Sequence, residues 1–65
     1  MRLDTTKIKI LQAKQGHSQT SLAEAAGMSR QNLNAILRRG TCGPLNLTKI
    51  AEALKVEPIE IVKED

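Results

Sequence analysis

The 65-residue chain has no Phe, Tyr or Trp, one cysteine, one histidine and two prolines. Each shortage removes a class of explanation. Without aromatic rings the chain cannot hold single-stranded nucleic acid by base stacking, a device worth about 1–3 kcal/mol per base that RNA modules also rely on. One cysteine cannot close an internal disulfide. With a single histidine it cannot furnish a tetrahedral zinc site either. There is no run of about 18 apolar residues and no charged-apolar-cleavage leader, which points away from a membrane span or secretion and toward the cytoplasm. No Ser-His-acid set, no phosphate-cradling glycine loop and no metal-ligand spacing occurs, so neither an enzyme nor a cofactor is expected. A chain this short forms one domain, residues 1–65, with one small core. Its stability must come from helix packing, with or without the help of a dimer.

What the chain does have is unevenly spread charge. The net charge of +3 divides into +6 over residues 1–49, where eight Lys/Arg oppose Asp4 and Glu24, and −3 over residues 50–65. That split predicts one cationic face and one end that polyanions avoid.

Apolar spacing is helical throughout, and no stretch alternates in the manner of a strand. Helix 1 is expected from about Thr5 to Gln15, capped by Asp4 or Thr5, with Ile8 and Leu11 inward and Gly16 ending it. Ser18 caps helix 2, about 19–26, and helix 3 spans about 30–38 before Gly40. Pro44 suits the first position of helix 4, because its missing N–H is not needed there. The inner stripe of helix 4 is Leu47, Ile50, Ala51 and Leu54. Pro58 opens a short helix 5, with Val56, Ile59 and Val62 inward and Ile61 pointing elsewhere. The expected fold is all-α, with five helices.

Residues 19–38, QTSLAEAAGMSRQNLNAILR, are the most informative stretch. Leu22, Ala23 and Ala26 share one helical face. Gly27 breaks the pattern, Met28 restores an apolar contact, and Ser29 is a good N-cap for the next helix. There Leu33, Ile36 and Leu37 face inward, which leaves Arg30, Gln31, Asn34 and Arg38 outside. Arg, Gln and Asn carry the donors and acceptors that match base edges in a DNA major groove.

With Ser18-Gln19, Leu22-Ala23, Gly27-Met28-Ser29 and the downstream LTKIAEALKV of residues 47–56, the chain resembles the Cro/cI-type (XRE-like) helix-turn-helix repressors over roughly residues 7–62. The resemblance implies a five-helix, lambda-repressor-like domain that binds double-stranded DNA as a transcriptional regulator, acting as a repressor in a prokaryote, phage or mobile element. Two departures stand out. Members often pair an Arg on helix 1 with a Glu near the end of helix 3, where this chain has Gln12 and Leu37. Losing both charges together can be neutral, whereas losing one costs about 3–5 kcal/mol. Arg38-Arg39-Gly40 also runs one residue past the usual stop.

The resemblance sorts the polar residues by role. Arg30 and Gln31 occupy the first turn of the recognition helix and are expected to read bases. Asn34 and Ala35 come one turn later and can reach further bases, Ala35 through a thymine methyl. Ser18 and Gln19, at the positive end of helix 2, are expected at a phosphate. Ser29 is first a cap and second a phosphate contact, and Asn32 is a phosphate or solvent residue. Arg38 and Arg39 satisfy the helix dipole and approach the DNA backbone. Lys49 either joins them or is an ordinary surface lysine. His17 is a turn residue, and Cys42 an inert lone thiol. A homodimer is expected through the C-terminal helix and its approach, where Ile59, Ile61 and Val62 are apolar and Ile61 is the one pointing outward. The rival reading is an antitoxin or adaptor whose acidic tail, Glu57 to Asp65, meets a basic protein.

Overall fold

Asp4 starts the first helix. In the computed structural model, which describes residues 1–63, its carboxylate accepts from the Lys7 amide at 3.1 Å. Helix α1 runs over Thr5–Lys14, then come α2 (Gln19–Ala26), α3 (Arg30–Arg39) and α4 (Pro44–Ala53). Glu64 and Asp65, the end of the acidic tail, lie outside the described residues. No strand occurs among the described residues, and the architecture is all-α.

The helix ends reflect local chemistry. Ser18 and Ser21 form a reciprocal capping box: the Ser21 amide donates to Ser18 Oγ at 3.1 Å, and the Ser18 amide to Ser21 Oγ at 2.9 Å. At the other end of α2, Met28 N donates to Ala23 O and Gly27 N to Glu24 O, the paired bonds of a Schellman motif. That motif needs a left-handed residue, and Gly27 supplies it at φ 72°. The same bonding ends α4, where Val56 N reaches Ala51 O and Lys55 N reaches Glu52 O. Here the left-handed residue is Lys55, the one non-glycine with positive φ among the described residues.

Ile8, Leu22, Leu33, Ile36, Ile50, Leu54 and Ile61 are the large side chains fully removed from water. They join all four helices into one core, with Leu11, Met28 and Val56 packed at its margin. Leu37, in place of the family's Glu, is buried in this core, while Gln12 is half-buried. A neighbouring amide makes the tie: Gln15 Nε2 donates to Leu54 O at 2.6 Å, joining the end of α1 to that of α4.

The expected fifth helix needs correction. Residues Pro58–Ile61 form a single 3-10 turn. Ile61 is fully buried, and Ile59, expected inward, is 65% exposed. The reason is geometric. In a 3-10 turn residues three apart eclipse, so Ile61 falls on the face of Pro58. Val62 leaves the turn in an extended conformation and cannot share a helical face with Ile59. Ile61 therefore cannot serve as an exposed dimer contact.

A second feature escaped the helical reading. Residues 1–3 run extended between two other segments, with antiparallel bridges Arg2–Thr41 and Leu3–Val62. Leu3 N donates to Gly40 O at 2.8 Å, Asp4 N to Ile61 O at 2.9 Å and Lys63 N to Arg2 O at 2.9 Å. This clip fastens the loop after α3 to the C-terminal segment.

Candidate nucleic-acid interface

The turn joining α2 to α3 is Gly27-Met28-Ser29, and its geometry is set at both ends. Gly27 closes α2 in the left-handed conformation, and Ser29 Oγ accepts from the Asn32 amide at 3.0 Å to open α3. Leu22, Ala23 and Ala26 form the buried face of α2, which packs against both α3 and α4.

With Leu33, Ile36 and Leu37 buried, the opposite side of α3 is fixed. Arg30, Gln31, Asn34 and Arg38 are all exposed. At about 100° per residue they fall within about 100° of arc, a single stripe along the helix. Ala35 is half-buried beside this stripe. Asn32 and Arg39, seven residues apart and both exposed, share a separate flank. The stripe starts at the helix N-terminus with an Arg and a Gln and ends with an Arg.

The first turn of α2 is a second polar surface. Ser18 is exposed and Gln19 half-buried. Capping uses the acceptor capacity of the Ser18 and Ser29 hydroxyls and leaves each O–H to donate. The amides of Gln19 and Thr20 precede the capped ones, at the positive end of the helix. His17 is more than a turn residue: its Nδ1 lies 2.9 Å from Ser21 Oγ, bracing the capping box from outside. Sequence offered only a spacing of four for this pair, too common a signal to use. Lys49 stands apart on α4, half-buried.

Cys42 is buried beside the clip. Burial pushes its thiol pKa up, against the positive charges of the Met1 amino group and Arg39, which pull it down. Among the described residues no three His, Cys, Asp or Glu side chains gather as a metal site would require. Among the described residues no helix is long and apolar enough to cross a membrane.

A family model described as helix-turn-helix matches residues 8–61. No curated protein and no solved structure matches the chain. The matched span takes in α2, the glycine turn and α3 together with the helices that support them. The chain belongs to the Cro/cI-type helix-turn-helix family, a family of DNA-binding transcription regulators.

Proposed function

We propose that the protein is a sequence-specific double-stranded DNA-binding repressor of the cytoplasm that places α3 in the major groove while α2 crosses the backbone. The observation that carries this reading is the exposed stripe Arg30-Gln31-Asn34, set opposite a wholly buried Leu33-Ile36 face. Arg30 can hold O6 and N7 of a guanine, and Gln31 can hold N6 and N7 of an adenine, each worth about 1–3 kcal/mol of discrimination. Asn34 and Ala35 extend the reading by a turn. Ser18, Gln19, Ser29, Asn32, Arg38, Arg39 and Lys49 position the module through phosphates, which adds affinity without sequence preference. One such module spans few base pairs, so two copies on half-sites about one DNA turn apart would supply useful specificity.

The test begins by selecting bound sequences from a random duplex pool. The selected duplex is then titrated with Arg30→Ala, Gln31→Ala and Arg39→Ala at several salt concentrations. The readers Arg30 and Gln31 should lose preference at defined bases, while Arg39→Ala should weaken all sequences evenly and flatten the salt dependence. If none of the three substitutions changes binding, the protein-binding reading, antitoxin or adaptor, replaces this one.

A further inference from the structure

Helix α1 carries three lysines on its solvent side and contains no acidic residue. Lys7, Ile10 and Lys14, spaced three and four apart, form one exposed stripe on the side away from the buried Ile8. Ile10 is 59% exposed, and Lys9 is exposed on the flank. The 3-10 turn Pro58–Ile61 and its cap present the reverse. Ile59 lies between Glu57 and Glu60, both exposed. The Glu60 carboxylate accepts from the Glu57 amide at 2.8 Å with one oxygen and keeps its charge and its other oxygen. Among the described residues no ion pair engages Lys7, Lys9, Lys14, Glu57 or Glu60.

We propose that the protein self-associates by seating the α1 stripe of one copy, Lys7-Ile10-Lys14, on the acidic turn around Ile59 of a second copy. A single exposed isoleucine is ordinary on a protein surface. Here two occur, each set among charges of one sign, and the two signs are opposite. Like charges on each element repel, and the facing element relieves both repulsions while taking two isoleucines out of water. Placement makes the contact reciprocal. Helix α1 and the turn pack on each other within one molecule, and Asp4 N donates to Ile61 O at 2.9 Å where they meet. A two-fold axis beside that junction lets each copy give its α1 stripe to the other's turn, so the contact is made twice. The apolar centre is small and the chain has no aromatic anchor, which makes the association weak and sensitive to salt. The contact uses no residue of α3 and forms without DNA, so it does not rest on the recognition-helix reading.

Sedimentation equilibrium of the whole chain without DNA, from about 10 μM to about 1 mM, tests this. The parent should rise toward the dimer mass across that range and fall back as salt is raised. Two charge-reversed variants separate the halves of the contact: Lys7→Glu with Lys14→Glu, and Glu57→Lys with Glu60→Lys. Each alone sets like charges face to face and should weaken association by about tenfold or more. Mixed in equal amounts they should associate again, because the acidic α1 of one meets the basic turn of the other, and the basic α1 meets the acidic turn. A parent that stays monomeric at about 1 mM overturns the inference. So does a mixture no more associated than its parts while each variant keeps its helical circular dichroism. If a variant loses that signal, Ile10→Ser takes its place and should weaken association; a mass curve unchanged from the parent overturns the inference as well. A monomeric parent whose Lys7→Glu, Lys14→Glu variant binds random duplex DNA more weakly overturns it too, and assigns the α1 stripe to phosphate.

Discussion

Lys55 holds the left-handed position at the end of α4 that Gly27 holds at the end of α2. A side chain in that conformation costs about 1–2 kcal/mol, offset in part by the extra freedom a glycine loses on folding. Lys55→Gly should therefore stabilise the protein by up to about 1 kcal/mol, read as a raised urea midpoint. Gly27→Ala should do the opposite by about 1–2 kcal/mol. A Cβ built on Gly27 meets nothing within 4 Å, so that loss would arise from backbone conformation alone. Residue-scale chemistry of this kind is legible in the sequence: Asp4, Ser18, Ser29, Gly27, Gly40 and Pro44 all act where their side chains suggest, because caps and turns depend on neighbours in the chain. Lys55 is not, since nothing local marks a lysine for positive φ.

At the scale of elements, the recognition helix is readable and the C-terminal turn is not, for one physical reason. Helix α3 is ten residues long, enough for the 3.6-residue period to separate Leu33, Ile36 and Leu37 from Arg30, Gln31 and Asn34. Pro58–Ile61 is four residues long, so a small change of twist reverses which isoleucine is buried. The reversal has a measurable consequence. Ile61→Ala should cost about 2–5 kcal/mol of stability, as expected for emptying a filled core site. Ile59→Ala should stay within about 0.5 kcal/mol of the parent in the same denaturation experiment. The loop element carries a third expectation. With its thiol buried and its pKa raised, Cys42 should alkylate far more slowly in the folded protein than in urea. A folded-state rate equal to the unfolded one would contradict the placement of that loop under the clip.

For the whole molecule, charge and topology act together. The +6 of residues 1–49 includes Arg30, Arg38 and Arg39 on the outer surface of α3, while the −3 of residues 50–65 belongs to the end of α4 and the C-terminal segment. Such a distribution orients the protein toward a polyanion before contact and makes affinity fall with salt by about 0.9 log units per log unit for each phosphate contact. The asymmetry can be counted from the sequence. The clip cannot, because Arg2–Thr41 and Leu3–Val62 join residues far apart in the chain, and three extended residues show no alternation to detect. The central claim is that the outward stripe of α3 meets duplex DNA, and amide chemical-shift changes on adding a selected duplex test it residue by residue. The account predicts the largest changes at Ser18–Thr20, Ser29–Gln31, Asn34 and Arg38–Thr41, with Ile59 and Glu60 unmoved. Changes confined to the 3-10 turn around Ile59, with α3 silent, would contradict it.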